Sequence, residues 1–393
     1  MGSIRPWRLL ALADSDSAEA LPNAERSPAD VREHLDFTLA LHHQLAPAAD
    51  RSFCWSPYSV SSALGLAATA TGGKTREQIV GALRAEPSGL LDLLGPAAEL
   101  PAGSGEPPVL AVANTLWAYE DLPIEESYRV ALEDWPGSSV RNAPFLADPE
   151  RSRQLINADV AETTRELIPE LLPEGSVQTR TVAALVNALY LKVSWREAFD
   201  TAETTDRPFH APGGERAVPT MHATRTFGHA AAHGWQAVSL PAAGGVEAVV
   251  LLPDADLAAA EAGLGAAELG ELLDSLEQRR IALSLPKFKV TGGAELTDSL
   301  AALGVHELFT PGADFSPLTS LPLRVSTAVH ESVLDVDESG LEGAAATAMM
   351  MRLTAVVREP APLRVEVDRP FLLLVRHRET GAIYFLSRVT RPS

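Results

Sequence analysis

The sequence predicts an α+β fold in a single domain, because helical periodicity fills its first third and strand-like segments fill most of the rest. Apolar residues recur at helical spacing in 29–46, and 59–83 is rich in small residues that suit close helix packing. From residue 107 onward, runs of β-branched and aromatic residues alternate with short helical stretches, notably 259–276 and 296–305. No internal repeat and no long linker divides the chain. Its strands must therefore pair over long sequence separations.

Two stretches are expected to lie outside the regular elements. Residues 1–28 form an irregular lead-in, because their apolar run LLALA is shorter than the roughly 7–15 residues of a secretory signal core and far shorter than a membrane span. Proline and glycine are dense in 85–108, where we expect loops around one short helix. The domain is therefore predicted over 29–393, in a cytoplasmic or unconventionally released protein.

Charge and cysteine content exclude several classes of partner. The chain carries 52 acidic and 32 basic residues, which gives a formal net charge of −20. Nucleic acids and anionic membranes attract clustered lysine and arginine, so neither is an expected partner. Cys54 is the single cysteine, which rules out an internal disulfide, and its apolar neighbours predict a buried thiol.

The usual signatures of catalysis are missing from the sequence. There is no G-x-S-x-G elbow, no P-loop and no Rossmann glycine pattern after a strand. His229 and His233 have the spacing of two metal ligands on one helix face, but no acidic residue accompanies them in a fixed motif, which favours packed or solvated histidines. We predict no cofactor, no metal site and no enzymatic activity. A hydrolase with an unrecognised site is the least favoured alternative.

Five blocks of the sequence follow one another in a characteristic order. They are LVNALYLKVSWREAF, LSLPKFKV, LAALGVHELFTPGADFSPLT, VHESVLDVDESGLEGAAATA and VDRPFLLLVRHRETGAIYFLSRV. These blocks and their order resemble the serpin family, in particular a prokaryote-like member. The resemblance covers about 36–392 and implies one domain with three β-sheets, about nine helices and an exposed reactive-centre loop at about 339–362.

The same resemblance implies a suicide-substrate inhibitor of serine proteases. The target's catalytic serine is acylated by the cut loop, and residues 340–354 then enter the main sheet as a new strand before water cleaves the ester. The implied partner is a serine protease held in a covalent acyl complex with a monomeric inhibitor. A non-inhibitory serpin, acting as a protease substrate or a binding protein, is the alternative.

Strand periodicity in the loop is compatible with this insertion. Alternate side chains of a strand share one face. The face that begins at Leu341 carries no charge, whereas Glu342 and Arg352 lie on the other. An Ala/Met-rich helix is the alternative on propensity alone. Gly340 and Gly343 weigh against it.

The resemblance also assigns individual roles. The hinge, which enters the sheet first, comprises Glu338, Gly340, Leu341, Gly343, Ala344, Ala345, Ala346 and Thr347. The shutter, a polar cluster behind the central strands, is assigned to Ser56, Ser59, Asn187 and His330. The breach, at the top of the sheet, is assigned to Trp195. Leu341 and Gly343 depart from the family pattern, which has a smaller residue and an alanine there, and they are the reason for keeping the non-inhibitory alternative.

The scissile bond of inhibitory serpins follows the hinge glutamate by about seventeen residues, which indicates Thr354-Ala355. Leu353, one residue earlier, is an alternative, as are Arg352 and Arg358. Thr354 or Leu353 suits an elastase-, subtilisin- or chymotrypsin-like protease, whereas an arginine suits a trypsin-like one.

Overall fold

The computed structural model describes residues 28–392, apart from 47, 49, 103–105, 179–180, 182, 326–327 and 342–360. Most of the predicted reactive-centre loop lies outside the described residues, as does the lead-in up to residue 27. The predicted boundary of the domain therefore stays a prediction.

Within these residues the chain forms nine α-helices. They are α1 Pro28–Leu45, α2 Pro57–Ala70, α3 Gly73–Leu83, α4 Pro87–Ala97, α5 Glu126–Glu133, α6 Pro149–Thr163, α7 Leu257–Ala262, α8 Ala266–Asp274 and α9 Thr297–Ala302. The run predicted as one helix over 259–276 is two, because Gly263 ends α7 and Gly265 precedes α8. Of the other helices, α5 and α6 were not predicted from the sequence.

The described strands number fifteen. They are β1 Phe53–Trp55, β2 Val109–Ala118, β3 Ser138–Asn142, β4 Ala183–Ser194, β5 Thr205–Ala211, β6 Gly214–Ala232, β7 Trp235–Pro241, β8 Val246–Pro253, β9 Glu277–Pro286, β10 Phe288–Glu295, β11 Val329–Val336, β12 Gly340–Leu341, β13 Leu363–Glu366, β14 Phe371–His377 and β15 Ile383–Val389. His229 lies in β6 and His233 at the turn after it, so the helical spacing considered for a metal pair does not apply.

The larger hydrogen-bonded network has nine strands in the order β1-β15-β14-β8-β7-β6-β9-β13, with β5 also paired to β6. The 19-residue β6 pairs with β5 and β9 over most of its length and with β7 at its end, so this network comprises two sheets that share β6. Together with the separate six-stranded sheet, this confirms the predicted α+β fold with three sheets.

The six-stranded sheet, called the main sheet below, has the order β10-β11-β12-β4-β2-β3. Its pairs are antiparallel except for β2 with β3. The sequence run that was predicted as one strand over 280–290 crosses from the larger network to the main sheet at Lys287, between β9 and β10. This crossing places Lys287 at the top of the main sheet.

Helix α2 supports the main sheet from beneath. It packs against β4 and β2 on one side and β15 on the other, and nearly all of its residues are buried. Small residues permit this close packing: a Cβ added at Gly65 would lie 2.1 Å from the Trp135 indole. Ser56 begins the helix by accepting a hydrogen bond from the Ser59 amide, and Pro57 occupies the first turn, both favourable at a helix start.

Candidate functional site

Strands β4 and β11 border an interruption in the main sheet. Gly340 pairs with Ser194, and Leu341 pairs with Val193 on β4 and with Val336 on β11. Below these two residues, no described strand pairs with the facing edges of β4 and β11. We call this stretch, residues 183–192 of β4 and 329–335 of β11, the β4/β11 break. A strand that entered it would gain two antiparallel neighbours.

A tight turn delivers the chain from β11 into the top of the break. The Asp337 amide donates to the Gly340 carbonyl at 3.1 Å. The Asp337 carboxylate accepts from the amides of Ser339 at 2.8 Å and Gly340 at 3.1 Å. Aspartate favours such turns because its short side chain bonds the backbone two residues on. The turn therefore places Gly340 and Leu341 between β4 and β11.

Gly340 and Leu341 fit the head of the break closely. A Cβ on Gly340 would lie 2.1 Å from the Val193 carbonyl oxygen, a separation that packed atoms do not adopt, so only glycine lets the two backbones approach. Leu341 is fully buried beside Val336. The leucine that departs from the family pattern is thus accommodated in the core, and the described structure shows no steric obstacle to it.

Glu338 anchors the same turn to the larger network. Its side chain is 7% exposed; one oxygen accepts from the Lys287 ammonium at 2.7 Å and the other from the Thr204 hydroxyl at 2.7 Å. Its carbonyl accepts from the Phe199 amide at 2.9 Å. Burial by itself would raise the pKa of Glu338, but the hydrogen bonds from Lys287 and Thr204 outweigh it and hold the pKa below its usual value.

Trp195 holds the turn from the side of β4. Its indole Nε1 donates to the Asp337 carbonyl at 2.8 Å, and its amide donates to the Ser339 carbonyl at 2.9 Å. The ring packs edge-on against Phe199, which also carries the Arg225 guanidinium over its face at 4.9 Å. Trp195 therefore holds the turn by two hydrogen bonds while its ring packs against Phe199.

His330 and two serines form a polar group at the lower end of β11. The Ser56 amide donates to His330 Nε2 at 3.0 Å, and Ser56 Oγ accepts from the Ser59 amide at 3.1 Å. Because Nε2 accepts, the proton of the neutral imidazole must be on Nδ1. Burial lowers the pKa of His330 to about 4, so this ring is neutral at pH 7.

Asn187 belongs to a second polar group on β4. The Asn187 side-chain Nδ2 donates to Asn114 Oδ1, and Asn114 Nδ2 donates to the Pro136 carbonyl at 2.7 Å. This chain fixes the orientation of both amides, because the Pro136 carbonyl can only accept. Asn187 Oδ1 is a buried acceptor for which the described ranges supply no hydrogen-bond partner.

The predicted shutter residues are thus divided between the two edges of the break. Ser56, Ser59 and His330 are joined on the β11 side, and Asn187 is joined to Asn114 on the β4 side. No hydrogen bond between the two groups is found among the described residues.

A cavity of about 590 Å³ lies between these two groups, above α2. Most of its wall is apolar and comes from α2, the lower part of β4, residues 171–177 after α6, and residues between Leu296 and Ala328. The polar residues of the lining are Ser59, Ser176, Thr181, Asn187, Arg324 and His330. We call it the shutter cavity.

Helix α6 and the segment after it cover the outer face of the main sheet. Asp148 caps the helix by accepting from the Arg151 amide at 2.9 Å, and Pro149 follows in the first turn. This Asp-Pro start is the signal that could have revealed α6 in the sequence. Ile156 and Val160 belong to a separate apolar cluster between α6 and the sheet.

An ion pair ties α6 to the edge of the sheet. The buried Asp159 carboxylate accepts from the Arg141 guanidinium of β3 at 2.5 Å. Burial raises the pKa of Asp159 and Arg141 opposes that rise. Asp159 therefore supplies a charged contact between α6 and β3.

The remaining predicted site residues lie outside the described part of the chain. They are the hinge residues Gly343, Ala344, Ala345, Ala346 and Thr347, and the candidates for the scissile bond, Arg352, Leu353, Thr354, Ala355 and Arg358. Their roles stay predictions. Of the described residues, Glu338, Gly340, Leu341 and Trp195 are brought together in one contact network.

Comparison with known sequences identifies the family. A family model described as "Serpin (serine protease inhibitor)" matches residues 32–392. The chain belongs to the serpin family. It is 33% identical over 355 residues to the leukocyte elastase inhibitor of Bos taurus, which covers 86% of this chain and 92% of the relative. It is 30% identical over 365 residues to an uncharacterised serpin-like protein of Thermococcus kodakarensis, covering 91% and 84%, respectively.

Solved serpin structures have the same fold. Uncleaved ovalbumin superposes on this chain with a TM-score of 0.80 at 26% identity, covering 92% of this chain and 99% of ovalbumin. Human thyroxine-binding globulin superposes with a TM-score of 0.81 at 23% identity, covering 93% and 99%. Serpins as a family are protease inhibitors, although some members, ovalbumin and thyroxine-binding globulin among them, are non-inhibitory.

No group of three or more histidine, cysteine, aspartate or glutamate side chains in the described ranges could hold a metal ion. No helix in that part of the chain has both the length and the apolarity needed to cross a membrane.

Acidification is expected to destabilise the fold through two buried histidines. Burial lowers the pKa of His34 and of His330 to about 4, whereas an unfolded histidine titrates near 6.5. Between these values the unfolded chain binds protons that the folded chain excludes, so stability falls as the pH falls below about 6.5. At pH 5 each histidine is expected to cost about 2 kcal/mol relative to pH 7.5.

Urea unfolding at pH 7.5 and pH 5.0 measures this effect. His330→Gln and His34→Gln keep an acceptor for the amides that these rings bind, and each is expected to reduce the difference between the two pH values by about 2 kcal/mol. His43→Gln, at an exposed position of α1, is the control. An unchanged pH difference in His330→Gln would contradict the assignment of a neutral buried ring.

Proposed function

We propose that the chain is an inhibitory serpin that traps a serine protease as a covalent acyl complex. The observation that carries the proposal is the entry of Gly340 and Leu341 between β4 and β11, at the head of a break that offers two strand edges. Target proteases of the elastase, subtilisin or chymotrypsin type are proposed ahead of trypsin-like ones, with Thr354-Ala355 as the scissile bond.

The chemistry belongs to the target. Its catalytic serine oxygen attacks the Thr354 carbonyl, the peptide bond to Ala355 breaks, and the Ala355 amine leaves with the proton of the serine. The residues after Leu341 then continue down the break. At about 3.3 Å per residue, a strand from residue 341 to residue 354 carries the ester about 40 Å from its starting point. Displacement over this distance pulls on the acylated protease before water reaches the ester.

The register of β12 supports a continued insertion. Leu341 is on the buried face, opposite Val193 and Val336. Because side chains alternate along a strand, a continuation would place Ala345 inward and Ala346 outward. The inward positions are small or apolar, as a buried central strand requires.

The non-inhibitory alternative was based on Leu341 and Gly343. The complete burial of Leu341 supports the inhibitory function, since this bulk is already accommodated. In the alternative, a protease would cut the loop and dissociate. We also propose that the protein is a monomer and that it is cytoplasmic or released by an unconventional route.

Incubation with elastase, subtilisin and trypsin tests the function. We expect an SDS-stable adduct of chain and protease with one of the first two, and release of a C-terminal peptide that starts at Ala355. Ala345→Arg puts a charge on the inward face and is expected to abolish the adduct while cleavage continues, whereas the matched control Ala346→Arg is expected to retain it. Cleavage without adduct for all three proteases, or equal loss in both variants, would refute the proposal.

A further inference from the structure

The shutter cavity has two polar groups that find no partner in the described part of the chain. Asn187 Oδ1 is a buried acceptor that no described residue bonds, and its orientation is fixed by Asn114. His330 is 94% buried, and its Nε2 is used by the Ser56 amide, so the proton is on Nδ1, for which no partner is found among the described residues. Both side chains line the cavity.

The strand register places these two groups at the same level. Val193 and Val336 face each other across Leu341. Asn187 lies six residues below Val193 and His330 six residues below Val336, so both side chains point to the same face as the valines. Strands with one strand width between them have backbones about 10 Å apart. One polar group between the strands can therefore meet an acceptor on one side and a donor on the other.

The cavity walls define the rest of a ligand. A volume of about 590 Å³ is typical of sites for small organic molecules, and the lining from Leu64, Leu116, Leu296, Leu300 and Phe315 is apolar. Arg324 is the charged residue of the lining, but it is exposed to solvent, where water and salt screen its charge. The imidazole is neutral at pH 7 and the chain has a net charge of −20, so the described lining offers no buried positive charge to an anion. A hydroxyl matches the two polar groups because it both donates and accepts.

We propose that the shutter cavity binds a neutral, largely apolar small molecule through one hydroxyl group, which donates to Asn187 Oδ1 and accepts from His330 Nδ1. A bound molecule occupies the level of the break that an entering strand needs. Binding therefore opposes insertion, a consequence that rests on the proposed inhibitory function.

Equilibrium dialysis of the native chain with radiolabelled farnesol tests the binding. We expect saturable binding at one site, with farnesyl methyl ether, which cannot donate, about 10-fold weaker, and farnesoate, which is anionic, weaker still. Equal affinities for the alcohol and the ether, or no saturable binding, would overturn the proposal. This comparison needs no variant.

Asn187→Leu removes the acceptor. In this variant farnesol is expected to bind no better than the ether, whereas the control Asn142→Leu, at an exposed position of β3, keeps the 10-fold difference. A retained difference in Asn187→Leu would contradict the role of Asn187.

Adduct formation separates this inference from the proposed function. Saturating farnesol is expected to slow adduct formation by about 10-fold. An unchanged rate with farnesol bound would refute the opposition to insertion. If no protease forms an adduct, the proposed function fails while dialysis still decides the cavity; if adducts form and farnesol does not bind, this inference alone fails.

Discussion

Replacing Glu338 by lysine is expected to lower the free energy of unfolding by about 2–4 kcal/mol and the Tm by about 3–5 °C. The buried carboxylate pairs with Lys287 and Thr204 at 2.7 Å each, and a lysine there would leave two ammonium groups facing each other beside the turn. Because the turn directs Gly340 into the sheet, its loss is also expected to reduce the fraction of chains that form a protease adduct.

Thermal and urea unfolding measure this change. Glu307→Lys is the matched control, since Glu307 also meets a lysine at 2.8 Å, but Lys74 there is 69% exposed, and exposed pairs contribute less than about 1 kcal/mol. A partner swap, Glu338→Lys with Lys287→Glu, is expected to recover part of the loss. A cost for Glu338→Lys no larger than that of Glu307→Lys would contradict the account of this ion pair.

Replacing Gly340 by alanine is expected to prevent the hinge from pairing with β4. The new methyl would stand 2.1 Å from the Val193 carbonyl oxygen, and a backbone atom cannot move aside as a flexible side chain can. β12 would separate from β4, and Leu341 would lose its buried position. We expect the variant to be cut by the target protease and to form less than about a tenth of the adduct of the unmodified chain.

Gly293→Ala is the control for this variant. Gly293 lies on β10 in the same sheet, and an added Cβ would meet its nearest neighbour, the Glu331 side chain, at an ordinary 3.5 Å. SDS gels after incubation with the protease compare the two. A normal adduct yield in Gly340→Ala would show that the close approach to Val193 is not needed for insertion.

The helices and strands that could be predicted from the sequence are those whose pattern of apolar residues reflects their burial. Strands β8 and β14 are almost wholly buried, so each is a continuous apolar run, and α1 carries its core residues at helical spacing. Helix α6 and strand β5 were not predicted. One face of α6 and most of β5 are exposed, which leaves too few apolar positions to give a period.

The site was predicted residue by residue through the family resemblance, and its geometry was not. Nothing in the sequence indicates that Asn187 is held by Asn114, 73 residues away, or that its acceptor oxygen is left unpaired. Gly340 was assigned to the hinge, but the approach of the Val193 carbonyl that requires a glycine there depends on strand register. Register is set by packing between distant strands, which single-sequence patterns do not record.

We expect the loop after Leu341 to have a lower-energy position within the β4/β11 break. The edges that no described strand pairs are 10 residues of β4, 183–192, and 7 residues of β11, 329–335. A full new strand would form about 17 backbone hydrogen bonds, worth about 8–17 kcal/mol at about 0.5–1 kcal/mol each. For a chain of this length that corresponds to a rise in Tm of about 10–20 °C.

The most direct measurement is the Tm of the chain before and after a single cut within 342–360, made with a catalytic amount of subtilisin and located by mass spectrometry. We expect the cut chain, with both fragments still associated, to melt at least about 10 °C higher than the intact chain. If the cut chain melts at the same temperature as the intact chain, or below it, the loop has no lower-energy position in the break and the proposed trapping of the protease is wrong.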